Sequence, residues 1–101
     1  MSLQVEIVTP DGTSQCARVF NLSASGMLIA DLPFRPEVGD VHEYRLSVAD
    51  QEIGLRGVVR RRQTIPQFGN AAGVAFVGLP ERVRRALLDF LFGSKLAGAS
   101  A

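Results

Sequence analysis

The sequence predicts a mainly β fold, a six-stranded antiparallel β-barrel followed by one C-terminal α-helix. Segments in which apolar and polar residues alternate recur along most of the 101-residue chain, as in strands with one buried face. Turn-forming Gly, Pro, Asn and Asp residues separate these segments at short intervals, which is typical of a small antiparallel barrel. After Pro80 the spacing of apolar residues changes to that of an amphipathic helix.

Three strands are expected in the first part of the chain. Residues 3–7 alternate, and the Asp-Gly pair in the turn at residues 9–13 is a strong hairpin signal. The returning strand is expected at residues 14–20, and a short apolar strand at residues 27–30. Prolines and a glycine at residues 33–39 then predict an irregular connection.

Three further strands complete the expected barrel. They cover residues 41–48, 52–62 and 72–77, with turns at residues 49–51 and 66–70 between them. In the second of these strands, alternation places Ile53 and Leu55 inward and Arg60 outward. Gly54 and Gly57 in the same strand suggest the bend or bulge that a closing barrel requires.

A single helix is expected after the strands. Pro80 suits the first helical position, and Glu81 favours the positive end of the helix dipole. Gly93 is expected to end the helix at about Phe92. The apolar stripe should dock on the barrel or on a partner, because burying each such side chain is worth roughly 1.5–3 kcal/mol. The stripe consists of Val83, Leu87, Phe90 and Leu91.

The chain is expected to be a single domain at residues 1–93, with a flexible tail at residues 94–101. Apolar residues make up 47% and charged residues 21% of the sequence, which is typical of a globular protein and not of a disordered one. No apolar run approaches the roughly 20 residues of a membrane span, so no membrane insertion is expected. The lone Cys16 cannot form an internal disulfide, which favours a cytoplasmic location. Its thiol is expected to be buried, because free cysteine behaves as a small hydrophobic residue.

Composition also limits the function. A net charge of +1 gives no overall field that attracts nucleic acid, so neither DNA nor RNA is expected as a partner. His42 is the only histidine and is expected at the surface or at a sheet edge; with no second His or Cys beside it, no metal or other cofactor is expected. The carboxylates are scattered, and no phosphate-binding loop or nucleophile elbow is present, so the protein is not expected to be an enzyme.

Arg60, Arg61 and Arg62 form the densest positive charge, with Arg18 and Arg56 as candidate neighbours across the sheet. Arginine forks pair with phosphates or guanine edges, so this run is a candidate contact for an anionic nucleotide. The alternative is a solvated strand end whose charges prevent aggregation. Strand alternation places Arg60 and Arg62 on one face and Arg61 on the other, so the three are not expected to serve one site.

The loop at residues 20–27 contains small polar residues and a glycine. Asn21 and Ser23 suit hydrogen bonds to the local backbone, and Gly26 suits a positive φ. From these residues alone, the loop is either an ordinary turn between strands or a place where a flat ligand approaches the main chain.

The order of these features resembles the PilZ domain family, over residues from about 3 to 92. The elements that carry the resemblance are the loop motif Asn21-x-Ser23-x-x-Gly26, the strand motif Gly73-Val74-x-Phe76 and the apolar C-terminal helix. The resemblance implies a barrel with one helix. It also implies a bacterial, non-enzymatic receptor domain for the second messenger cyclic di-GMP.

In that family the loop motif contacts a guanine, and an Arg-x-x-x-Arg segment before the first strand grips guanines and phosphates. The resemblance therefore implies ligand contacts at Asn21, Ser23 and Gly26. Arg18 is a further candidate by its position, and Arg60 by its charge. No Arg-x-x-x-Arg segment precedes residue 3 in this sequence, and losing two such charge-assisted contacts is expected to weaken binding about a hundredfold or more.

Three functions remain open at this point. The first is a signalling domain that binds cyclic di-GMP, through the whole site or half of it, and relays this to an unidentified partner protein or neighbouring domain. The alternative is a divergent PilZ adaptor that binds no nucleotide and acts through protein–protein contacts in type IV pilus or motility systems. The third, a small oligonucleotide-binding barrel, is disfavoured because aromatic residues are 7% of the chain and base stacking needs exposed rings.

Overall fold

Six strands precede one helix in the chain. The computed structural model describes residues 3–9, 11–48 and 51–100, with side chains described at residues 3–9, 11–47 and 51–92. The elements are β1 (Leu3–Val8), β2 (Ser14–Leu22), β3 (Gly26–Ala30), β4 (Val41–Val48), β5 (Gln51–Ile65), β6 (Gly69–Phe76) and α1 (Glu81–Ser100). Residue 10 of the first predicted turn and residues 49–50 of the turn before β5 lie outside the described residues.

The strands close into a barrel in the order β1-β2-β3-β6-β5-β4, and β4 pairs with β1 to complete the ring. Every neighbouring pair is antiparallel. Closure gives every strand a hydrogen-bonded neighbour on both sides. The prediction of a six-stranded antiparallel barrel with one C-terminal helix is confirmed.

The barrel is filled by the apolar side chains that alternation turns inward. The largest fully buried side chains are Tyr44, Ile7, Ile29, Leu46 and Val5 on the strands and Leu87 on the helix. Ile53 and Leu55 are also inside and Arg60 is exposed, as the sequence predicts. Val59 is buried as well. Burial raises the pKa of Tyr44 to about 12, and the charge of Asp40 adds to this shift.

Three strand boundaries differ from the prediction by two residues or more. β2 runs two residues further than expected, to Leu22, so that Asn21 lies in a strand and not in a loop. β5 continues to Ile65, and β6 begins at Gly69, which shortens the turn between them. A hydrogen bond of 2.9 Å from the Phe68 N–H to the Ile65 carbonyl closes that turn.

The helix α1 begins at Glu81, one residue later than predicted, and the Pro80 carbonyl accepts a hydrogen bond from the Arg84 N–H at 2.8 Å. Leu87 on its inner face is fully buried, and the helix packs against β5. The predicted end at Phe92 is wrong, because the helix continues to Ser100. A glycine such as Gly93 weakens a helix by only about 1 kcal/mol relative to alanine, so it does not by itself end one.

The division into a domain at residues 1–93 and a flexible tail stays a prediction. In the part of the chain that the structure describes, no helix has both the length and the apolar character needed to cross a membrane.

Candidate functional site

An open cleft of about 470 Å³ crosses the barrel surface from the β2–β3 hairpin over β6 to β5. Its volume lies in the range of about 300–1,000 Å³ that small-molecule sites occupy. Other surface clefts have volumes of about 450 and 470 Å³, so size alone does not distinguish it. Its residues do, because they combine the loop motif with two arginines. The lining consists of Asn21, Ser23, Ser25, Gly26, Met27, Leu28, Arg60, Arg61, Gly73, Val74 and Ala75.

The hydroxyl of Ser23 shapes the tip of the β2–β3 hairpin. Its Oγ accepts hydrogen bonds from the N–H groups of Ser25 at 3.3 Å and Gly26 at 3.2 Å. It also donates to the Gly26 carbonyl oxygen at 3.2 Å. The Ser25 Oγ lies a further 3.3 Å from the same atom. A hydroxyl has one proton and two lone pairs, so these contacts use most of its hydrogen-bonding capacity within the loop. Ser23 therefore orders the loop while its exposed side chain lines the cleft.

A glycine is required at position 26 because β3 and β6 approach each other closely there. The positive φ that the sequence predicts for Gly26 is not found. Its φ lies outside the left-handed region. A Cβ atom at this position would collide with the carbonyl oxygen of Val74 on β6. Next to it, the Phe76 N–H donates to the Ser25 carbonyl at 2.9 Å, which ties the loop to β6. The absence of a side chain at Gly26 thus lets the hairpin lie flat against β6.

A β-bulge brings Asn21 to the outer surface. The pairing of β2 with β3 shifts between Val19 and Asn21, which leaves Phe20 as the extra residue. Val19 faces the core, so strict alternation would turn Asn21 inward; instead both Phe20 and Asn21 are exposed. The described residues include no hydrogen-bond partner of the Asn21 side chain, so its amide is available to a ligand.

A second bulge places Arg60 and Arg61 in the same cleft. The pairing of β5 with β6 shifts between Val59 and Arg61, with Val59 inside the barrel and both arginines exposed. The prediction that Arg61 points away from Arg60 is therefore wrong, because the extra residue resets the alternation. Arg61 was missed as a site residue for this reason. The bulge lies beyond Gly54 and Gly57, the residues that suggested one.

Two other arginines lie outside this cleft. Arg18 is 3.8 Å from the carboxylate of Asp31, and its guanidinium carbon is 5.6 Å from the centre of the Phe68 ring. Arg56 is 3.5 Å from the carboxylate of Glu43. Of the five sequence-predicted site residues, the structure brings four together, Asn21, Ser23, Gly26 and Arg60, and leaves Arg18 apart.

Two expectations about single residues are wrong. Cys16 is exposed and not buried, since the inward positions of β2 are taken by Ala17 and Val19. The His42 side chain is only 11% exposed, with its Nε2 atom 3.9 Å from the Asp40 carboxylate. His42 shares the inward face of β4 with Tyr44, which places it at the end of the barrel interior.

The cleft offers hydrogen-bonding and positively charged side chains. Asn21 supplies an amide donor and acceptor, and the two arginines supply positive charge and planar donor forks. Among the described residues, no group of three or more His, Cys, Asp or Glu is placed to hold a metal ion. Such a set suits a flat ligand that has polar base edges and negative charge.

Comparison with known proteins gives a family match. A family model described as "PilZ domain" matches residues 1–93. No curated protein sequence matches the chain.

Solved structures share the fold at low sequence identity. The Bacillus subtilis inhibitor of motility MotI/DgrA superposes with a TM-score of 0.79 at 19% identity, covering 96% of this chain and 48% of its own. YcgR from Escherichia coli, in complex with c-di-GMP, gives a TM-score of 0.79 at 12% identity, covering 98% of this chain and 43% of its own. The PilZ domain of CeSA from a cellulose-synthesizing bacterium gives 0.69 at 16% identity, covering 94% of both chains. This chain therefore spans about half the length of MotI and less than half of YcgR.

Proposed function

The chain belongs to the PilZ domain family, and on this premise we propose that it is a non-enzymatic bacterial signalling domain that binds cyclic di-GMP in the cleft. The observation that supports the proposal most is the lining of the cleft, where Asn21, Ser23 and Gly26 meet Arg60 and Arg61. Cyclic di-GMP presents guanine edges and phosphodiester charges. A hydrogen-bonding amide beside two guanidinium groups complements both.

The three residues of the loop motif have different roles in this proposal. The free amide of Asn21 hydrogen-bonds a guanine edge. Gly26 keeps the hairpin close to β6, so that the floor under the guanine is flat. Ser23 holds the loop in shape through its contacts with Ser25 and Gly26, and acts on the ligand through that shape.

A bound ligand would cover this face of the barrel and change the surface that a partner protein or neighbouring domain meets. The matched region is only part of the longer MotI and YcgR chains, which leaves room in those proteins for such a neighbour. The relay is proposed to operate in the cytoplasm of a bacterium.

Calorimetric titration with cyclic di-GMP tests the proposal. The wild-type chain should bind, and Asn21→Ala should weaken binding about two- to tenfold, as expected for one hydrogen bond. Gln4→Ala is the matched control, because Gln4 is an exposed amide side chain on β1 outside the cleft. Cyclic di-AMP, which has the same phosphates and a different base edge, should bind more weakly than cyclic di-GMP.

Absence of heat at high ligand concentration would contradict the proposal and favour the adaptor. A specific observation supports that second candidate. Val38, in the connection between β3 and β4, and Val41, the first residue of β4, are 60% and 50% exposed, and such apolar groups suit a protein contact. The helix stripe, by contrast, is used within the fold, since Leu87 is fully buried.

A further inference from the structure

Arg60 and Arg61 bring two positive charges to the cleft without a carboxylate to balance them. Among the described residues, neither guanidinium takes part in an ion pair. Four arginines elsewhere, Arg18, Arg45, Arg56 and Arg84, have carboxylate partners at 3.3–3.8 Å. Other arginines among the described residues, such as Arg62, have no such partner, so what distinguishes Arg60 and Arg61 is that they share one cleft. The cleft is therefore a place where cations are held side by side and left available to an anion.

The side chain of Arg61 lies across Gly73 on the neighbouring strand. A Cβ atom at Gly73 would be 3.0 Å from both the Cγ and the Nε atoms of Arg61, closer than ordinary contact. Gly73 is paired with Arg61 in the β5–β6 register and lines the same cleft. The missing side chain thus lets the arginine stem rest on the cleft floor. A guanidinium held this way loses less conformational freedom when a ligand binds.

We propose that Arg60 and Arg61 form a phosphate subsite of the cleft, with Gly73 as its floor. The bulge in β5 turns both guanidinium groups to one side, where their planar forks pair with phosphodiester oxygens. The subsite provides charge-assisted donors for phosphate oxygens and complements the amide of Asn21, which meets the base. The identity of the ligand rests on the proposed function, whereas the capacity to bind phosphate rests on these three residues.

Two titrations, each monitored by NMR, distinguish the proposed phosphate subsite from the proposed binding of cyclic di-GMP. Inorganic phosphate is added first, with the arginine Nε–Hε signals as the readout; the signals of Arg60 and Arg61 should move and that of Arg62 should not. Cyclic di-GMP is then added to wild type, Arg60→Gln, Arg61→Gln and Arg62→Gln. Each of the first two variants should lose about tenfold or more in affinity, as expected for one charge-assisted hydrogen bond. Arg62→Gln is the matched control, because it removes the same charge from the next position of β5, outside the cleft lining.

Gly73→Ala tests the floor without removing a charge. The added methyl should displace Arg61 and weaken cyclic di-GMP binding less than Arg61→Gln does, with the Arg61 Nε–Hε signal shifted in the free protein. If that variant does not fold, the arginine variants still decide the question, since their side chains are exposed.

The outcomes are distinct. Phosphate shifts at Arg60 and Arg61 without any cyclic di-GMP binding would support the subsite and overturn the proposed ligand. Cyclic di-GMP binding that is unchanged in both arginine variants would overturn the subsite and leave the proposed function standing. Phosphate shifts that appear equally at Arg62 would also overturn the subsite, because they would indicate unspecific attraction to exposed arginines.

Discussion

Gly26 on β3 faces the carbonyl oxygen of Val74 on β6 so closely that no Cβ atom fits between the two strands. The same glycine lies in the motif loop and lines the cleft. One missing side chain therefore serves both the closure of the barrel and the shape of the proposed binding surface. A change at this position should affect stability even when no ligand is present.

Gly26→Ala is expected to destabilise the fold by about 1–3 kcal/mol, because an inserted methyl without space forces the backbone of β3 away from β6. The measurement is urea unfolding followed by circular dichroism. Gly54→Ala is the matched control, since Gly54 is also a strand glycine and a Cβ there would meet nothing within 4 Å. Equal stability of the two variants would contradict the close approach.

Leu87→Ala is expected to destabilise the protein by about 2–5 kcal/mol, because Leu87 is the fully buried side chain that anchors α1. Loss of its contacts leaves a cavity between the helix and the barrel. Phe92→Ala is the control on the same helix; Phe92 is 52% exposed, and its truncation should change the free energy of unfolding by less than about 0.5 kcal/mol. Similar midpoints for wild type and Leu87→Ala would show that the helix is not docked through this residue.

The fold could be predicted from the sequence because its signals are local. Alternation marks each strand, turn residues mark the connections, and the change in apolar spacing at Pro80 marks the helix. The same alternation also determines which way Cys16 and His42 face. With Ala17 and Val19 inward, Cys16 must face out, and with Tyr44 inward, His42 must follow it.

The site was only partly predictable, because two bulges decide which side chains enter the cleft. Neither Phe20 nor Arg60, the residues at the register shifts, is a type that marks a bulge in sequence. A bulge depends on the pairing of two distant strands, so simple alternation assigned Arg61 to the wrong face. The reason for Gly26 was equally hidden, since it depends on the Val74 carbonyl of another strand.

The turn between β1 and β2 should make stability depend on pH in acid. Hydrogen bonds from the Thr9 hydroxyl and from the N–H and hydroxyl of Thr13 lower the pKa of Asp11 from 3.8 to about 2. A carboxyl with a depressed pKa stabilises the folded state above its unfolded pKa, and that stabilisation is lost as pH falls from about 3.8 to about 2. Asp11→Asn should therefore be less stable than wild type at neutral pH, with the difference vanishing toward pH 2.

NMR titration of the Asp11 carboxyl checks the cause directly. Thr9→Val keeps the shape of the side chain and removes its hydroxyl, so the pKa of Asp11 should rise toward its ordinary value. An unchanged pKa in this variant would assign the shift to Thr13 alone.

Tyr44 should make stability depend on pH at the alkaline end. It is the only tyrosine in the chain and there is no tryptophan, so ultraviolet absorbance of tyrosinate reports this one residue. Burial raises its pKa from 10.0 to about 12, and Asp40 adds to the shift. The folded state therefore holds the phenol proton more tightly than the unfolded state, and stability falls as pH rises from about 10 to about 12.

Tyr44→Phe should abolish this part of the pH dependence, and titration of wild-type Tyr44 in urea should return its midpoint to about 10. A native midpoint near 10 would mean that the phenol is open to water, in conflict with its burial.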